Sequence, residues 1–209
     1  MENQSLTELL KQLGSKKPTP GGGAAAAWVG ALGSALAEMA MRYSIRKKTS
    51  ETDRKEIETL IEQSLIIVDD FLKSANEDAA AYENLNQLQK LNADDPKRIA
   101  GWEDTVKQAI AVPSRVVETA VTTLEKYESF MTRCNRWLLS DLAIAAILCE
   151  SAARSAAWNV RINLPLIDNN NMHQSIEADL TERLNQLRET TNRIENYCAG
   201  NENSSPESP

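Results

Sequence analysis

Among the possible proton carriers in this sequence, one carboxyl group is set apart. Asp78, in "SANEDAAAY", has Ala75, Ala79, Ala80 and Ala81 around it, which removes bulk. Ser74 and Tyr82 lie four residues to either side, on the same helical face. An aspartate so placed either lines a pocket or is a solvated helix position. The single histidine, His173, follows the polar run "DNNN" and reads as a surface residue, so no Ser–His–acid set can be drawn. Nor do the cysteines and histidine have metal-ligand spacing, and no metal site is expected. Acid–base chemistry would then fall to a carboxylate, Lys, Tyr or Cys.

Polar groups that can hold a ligand occur in three further places. "KKPTPGGGAAAAWVGALGSALAEM" carries Gly21, Gly22 and Gly23 before a run of alanines. A nucleotide P-loop needs Lys and then Ser or Thr after its last glycine, and Ala24 and Ala25 stand there instead. What remains is a tight entry into a buried helix, bare backbone amides offered to an anionic or carbonyl ligand at a helix N-terminus, or both. Asn159 and Asn163, four residues apart in an apolar helix, need partners, so they tie loops together or bind a polar ligand. "RYSIRKK" collects Arg42, Arg46, Lys47 and Lys48, either a solvated face or a receiver for a carboxylate tail.

The elements that must position these groups read as helices throughout. Ser5 followed by Glu8 is a capping-box pattern, and Gly14 ends the short helix it opens. A second helix is expected from about Ala24 to Tyr43, with small residues on overlapping faces. From Glu51 to Gln89 there is neither Gly nor Pro, and Ile57, Leu60, Ile61, Leu65, Val68, Phe71 and Leu72 recur at helical spacing. "NADDPKRIAG" breaks that helix, and the pattern resumes near Trp102, with Pro113 as a kink, up to about Leu139. Ser140 looks like an N-cap with Asp141 in the first turn of the next helix. That helix is apolar or small nearly all round, so it belongs at the centre of the fold, and Glu150 with Arg154 forms an i,i+4 pair. Pro165 closes it. A last amphipathic helix spans roughly Met172 to Tyr197. The expected fold is all-α: one domain over residues 1–199, a bundle of about six to eight helices around a buried small-residue helix, with 200–209 as a disordered tail.

Bulk composition narrows the partners. The 209 residues suffice for one domain with a sizeable core, and a net charge of −7 argues against nucleic acid. Cys134, Cys149 and Cys198 are unevenly spaced, as expected of reduced thiols in a cytoplasmic protein. No secretion signal is read at the N-terminus, and the uncharged stretch after the glycines reads as a buried helix too short to span a membrane.

Taken in order and spacing, "PTPGGGAAAAWVGALGSALAEM", "NEDAAAY" and "SDLAIAAILCESAARSAAWNVRIN" resemble the cyclodeaminase/cyclohydrolase family of tetrahydrofolate enzymes over about residues 5 to 197. Two segments depart from the family pattern. "RCNRWLLSD" offers Cys134 and Asn135 where the family often has Gly-Asn, and "LQKLNADDPK" replaces a Leu-Pro-Lys segment.

The resemblance implies a helical fold, a homodimer, and a folate bound near the glycine loop with no cofactor beyond the tetrahydrofolate substrate. It implies that Asp78 transfers the proton. Gly21, Gly22, Gly23, Ser140, Asp141, Asn159 and Asn163 would orient the ligand, and Lys47 and Lys48 would attract its glutamate or polyglutamate tail. Two reactions are implied: methenyltetrahydrofolate cyclohydrolase and formimidoyltetrahydrofolate cyclodeaminase. The cyclohydrolase is expected first, because a cyclodeaminase usually travels fused to the transferase that makes its substrate. A non-catalytic folate-binding or scaffold protein is the further alternative.

Overall fold

The computed structural model describes residues 4–202. Six α-helices make a bundle: α1 (Leu6–Leu13), α2 (Gly22–Ser44), α3 (Glu51–Gln89), α4 (Pro96–Phe130), α5 (Leu139–Asn163) and α6 (Asn170–Glu202). Among the described residues there is no β-strand, so the expected all-α, single-domain class holds. α2 packs against α3 and α5, and α4 packs against the same two helices from the opposite corner, giving a four-helix square. α6 covers the α4–α5 edge.

α5 is central because alanine lines its buried side. Ala145, Ala146, Ala152, Ala153, Ala156 and Ala157 are all inaccessible to solvent, which lets neighbouring backbones approach closely. Gly33 of α2 meets it there: a Cβ at that position would lie 3.0 Å from the Ala145 carbonyl oxygen and 3.1 Å from Leu148 Cβ. α2 is 23 residues long and apolar enough, by length and composition alone, to cross a membrane. Its most apolar window is 56% buried inside the bundle, with α3 and α5 as its neighbours.

The local signals decide most helix ends. Ser5 and Glu8 form the expected capping box, with Ser5 N–H donating to Glu8 Oε2 at 2.8 Å and Glu8 N–H to Ser5 Oγ at 3.3 Å. Gly14 is the C-cap of α1. Five boundaries differ from expectation. α2 begins at Gly22 and takes two glycines into its first turn. α4 begins at Pro96, because Asp95 accepts from Lys97 N–H at 2.8 Å and a proline fits the first helical position. It continues through Pro113 and stops at Phe130. Ser140 is not an N-cap: the 3₁₀ turn Arg136–Leu138, capped by Asn135, runs directly into α5, which starts at Leu139. α6 runs through Gly200 to Glu202, so residues 200–202 of the expected tail are helical, and the rest of that expectation, residues 203–209, lies outside the described residues.

Glu150 meets Arg154 at 3.7 Å as expected and is also 3.4 Å from Arg188 of α6. None of the three cysteines is in a disulfide. Burial pushes the Cys134 thiol up to about 12 and Cys149 higher still, so both stay protonated.

Candidate functional site

The N-terminus of α2 is capped by a residue of another helix. Gly21 occupies the N-cap position and has no side chain to offer. The Asp78 carboxylate of α3 takes that role by accepting from Ala24 N–H, one of the amides a helix start leaves without a partner. This approach requires glycine at residue 23, since a Cβ there would fall inside the Asp78 carboxylate. Gly21 and Gly22 are under no such constraint: a Cβ on Gly22 would make ordinary contact with Asn159 Oδ1 at 3.7 Å.

Beside this contact lies a cavity of about 390 Å³. Gly21, Gly22 and Gly23 form one wall, Asp78 and Tyr82 a second, and Asn159 and Asn163 a third. Asp78 is the only charged side chain among the lining residues. It is half-buried, and desolvation raises its pKa above the ordinary carboxylate value, while the Ala24 N–H pulls the other way. The carboxyl group therefore exchanges its proton nearer neutrality than a solvated aspartate does, which suits a group that both takes and returns a proton.

The asparagines are tied from one side. Asn159 Nδ2 donates to Ser155 O at 3.2 Å. Asn163 Nδ2 donates at 3.0 Å to both Ala109 O of α4 and Asn159 O, which fixes the end of α5 against α4.

Lys47, Lys48, Ser140 and Asp141 lie elsewhere in the chain. α2 and α5 are antiparallel, with Gly22 near Asn159 at one end and Ser44 bonded to Asn135 at the other. Asp141 is at the Asn135 end, separated from Asn159 by about 27 Å of helix at 1.5 Å per residue. Lys47 and Lys48 follow Ser44 at that same end, and both are exposed. Ser74, expected on the Asp78 face, is buried and donates to Asp70 O at 2.9 Å. His173 is half-buried at the start of α6, away from the cavity.

Sequence reasoning missed Leu85, Gln89, Ile162 and Leu166, which also line the cavity. A signal for the first two was present. Asp78, Tyr82, Leu85 and Gln89 follow a 4–3–4 spacing, one continuous stripe of α3. Among the described residues no group of three His, Cys, Asp or Glu side chains is placed to hold a metal ion.

The model of a family described as formiminotransferase-cyclodeaminase matches residues 5–182. A methenyltetrahydrofolate cyclohydrolase of Methylorubrum extorquens is 29% identical over 189 residues, covering 88% of this chain and 88% of that protein. The formimidoyltransferase-cyclodeaminase of Sus scrofa is 27% identical over 189 residues; the match covers 88% of this chain but 34% of that longer protein. The crystal structure of a formiminotetrahydrofolate cyclodeaminase from Thermotoga maritima superposes with a TM-score of 0.85 at 28% identity, covering 95% of this chain and 98% of that one.

Proposed function

This chain belongs to the formiminotransferase-cyclodeaminase family of folate-processing enzymes, and we propose that its Asp78 cavity is a formimidoyltetrahydrofolate cyclodeaminase site. The observation that carries this reading is the single raised-pKa carboxyl group lining an otherwise uncharged cavity. In the reaction, N10 of the folate attacks the formimidoyl carbon bonded to N5, forming the second carbon–nitrogen bond of the bridge. Asp78 accepts the N10 proton as the tetrahedral centre forms and passes it to the departing nitrogen. That nitrogen takes up one further proton from solvent and leaves as ammonia, and the bridge becomes the methenyl cation. The proton donor and acceptor is one group, so a single carboxyl suffices. In this proposal the glycine wall admits a flat ring and Tyr82 flanks it. Asn159 and Asn163 orient polar atoms of the ligand, with Thr19 and Gln89 as further hydrogen-bonding side chains on the lining.

The ordering expected from sequence length is revised here. The Thermotoga structure is of a cyclodeaminase chain that this one covers almost entirely, so fusion to a transferase is no criterion between the two reactions. The cyclohydrolase is kept as a second reading because the Methylorubrum relative is matched over nearly its whole length. There Asp78 would take a proton from water as it adds to the methenyl carbon and return it to the ring nitrogen that leaves, while the hydroxyl of the tetrahedral centre releases its proton to solvent as the formyl carbonyl forms. A cytoplasmic location and independence from further cofactors belong to the same proposal.

The test is to supply 5-formimidoyltetrahydrofolate and follow methenyl absorbance together with ammonia. Coupled, equimolar appearance of both supports the cyclodeaminase. Decay of supplied methenyltetrahydrofolate above its spontaneous rate, with no ammonia from the formimidoyl compound, selects the cyclohydrolase. Folate binding without either reaction sinks both and leaves a binding protein.

A further inference from the structure

The hydrogen-bonding inventory of the cavity wall made by α5 is lopsided. A carboxamide side chain has two N–H donors and one carbonyl acceptor. Asn163 commits both donors to backbone carbonyls, Ala109 O and Asn159 O, each at 3.0 Å. Asn159 commits one donor to Ser155 O at 3.2 Å. Backbone carbonyls only accept, so these partners fix which end of each side chain is nitrogen and which is oxygen. What the pair has left is both carbonyl oxygens and a single N–H. Among the described residues nothing donates to either oxygen.

One of these oxygens stands beside the proton carrier. A Cβ built on Gly22 would be 3.7 Å from Asn159 Oδ1 and 4.0 Å from its Nδ2, and one on Gly23 would fall inside the Asp78 carboxylate. The acceptor and the titratable group therefore flank consecutive residues of one helix turn and line the same cavity. Such a position suits a group that gains N–H bonds as it reacts. In the formimidoyl reaction the departing nitrogen begins with one N–H and leaves with three, after one proton arrives by way of Asp78 and one from solvent. An acceptor that meets more donors in the transition state than in the bound substrate lowers the barrier rather than only tightening binding. For the water of the second reading the trend is reversed. It arrives with two O–H donors and ends as a formyl oxygen with none, which would set lone pairs against lone pairs.

We propose that Asn159 Oδ1 receives the nitrogen that leaves the one-carbon unit, and so selects an amidine over a carbonyl at that position. Asn163 supports it in two ways. Its Nδ2 holds the Asn159 backbone oxygen, which fixes that turn of α5, and it brings the wall a second acceptor and no free donor. The ligand class is an amidine or amidinium carried on a larger molecule, with its N–H groups turned to α5 and its carbon near Asp78. That the larger molecule is a folate rests on the reading above; the preference of the wall for N–H donors does not.

Two measurements separate these claims. The first needs no folate. N,N-dimethylformamidinium and N,N-dimethylformamide have the same shape and differ in an =NH₂⁺ or an =O on the one carbon. Each is titrated into the protein and followed by the backbone amide resonances of Gly22, Gly23 and Ala24. Wild type should bind the amidinium more tightly than the formamide. Asp78 attracts the cation in every variant at residue 159, so comparison between those variants isolates Asn159. Asn159→Leu should weaken the amidinium by about tenfold, the value of a hydrogen bond to a charged donor, and leave the formamide no weaker. Asn159→Asp keeps an acceptor but loses the N–H to Ser155 O, and should keep the amidinium affinity. An unchanged Asn159→Leu, equal loss of both probes, or equal loss of the amidinium in both variants overturns the proposal, as does a wild type that binds neither probe. The second measurement is turnover of 5-formimidoyltetrahydrofolate. Asn159→Leu should lower kcat about tenfold and change KM far less. A loss confined to KM overturns the role in the transition state. If wild type releases no ammonia, the cyclodeaminase reading fails, while the titrations still decide what the wall selects.

Discussion

The two ends of the α2–α5 pair use similar polar side chains and leave them in opposite states. Where α2 stops, the groups satisfy one another. Ser44 Oγ accepts from Asn135 N–H at 2.8 Å and donates to Ala40 O at 2.7 Å, and Thr49 Oγ1 accepts from Arg46 N–H at 2.8 Å. Asn135 Oδ1 accepts from Trp137 N–H at 3.2 Å, and Arg133 bridges Asp53 and Glu56. Where α2 starts, the cap position is a glycine, the cap comes from Asp78 on α3, and a cavity stands open beside it. A closed polar network fixes geometry, whereas one that faces a cavity retains capacity for a ligand. The difference comes down to one missing side chain at residue 21, which leaves a helix terminus for a titratable group to occupy.

The largest effect expected from disturbing this contrast is at Asp78. Asp78→Asn keeps an oxygen for Ala24 N–H but cannot carry the proton, so turnover should fall about 10²–10⁴-fold with helix content unchanged by circular dichroism. A folded variant within tenfold of wild type would remove Asp78 from the chemistry. Next is Gly23→Ala, whose methyl group displaces the Asp78 carboxylate; it should lower turnover and cost about 1–3 kcal/mol in urea unfolding. At the closed end, Ser44→Ala strands the Asn135 N–H and should cost about 1–2 kcal/mol, with a far smaller loss of turnover than Asp78→Asn. Comparable turnover losses at both ends would erase the contrast. The smallest effect is on the stability of Asp78→Asn itself. Burial raises the Asp78 pKa in the folded state, so its neutral form favours folding at low pH, and that contribution disappears as pH rises through the folded pKa. The asparagine variant should therefore melt slightly above wild type at pH 7 and lose that advantage in acid.

Much of the fold was legible because its signals are local. The 39-residue α3 follows from a periodic apolar stripe without Gly or Pro, and the start of α1 from its capping box. The errors arose where one local motif has two uses. Asp95–Pro96 reads as a chain break yet is an N-cap followed by a first-turn proline, and Ser140 has N-cap chemistry but follows a turn already capped by Asn135. In the site, each of Gly23, Asp78, Asn159 and Asn163 stood out by its surroundings in sequence. Their union came from the family resemblance alone, since the Ala24–Asp78 bond joins residues on different helices and no periodicity within either helix encodes it. The separation of Lys47, Lys48, Ser140 and Asp141 from that cavity was illegible for the same reason: it depends on α2 and α5 being antiparallel.

The most direct measurement is turnover of the folate substrate as a function of pH, for wild type and Asp78→Asn. Asp78 must be ionised to accept the first proton, so wild-type activity should climb with pH along a limb centred above the ordinary aspartate value of about 3.9, and that limb should vanish from the residual activity of Asp78→Asn. The same limb persisting in Asp78→Asn would mean that another group carries the proton, and the account of this cavity would be wrong.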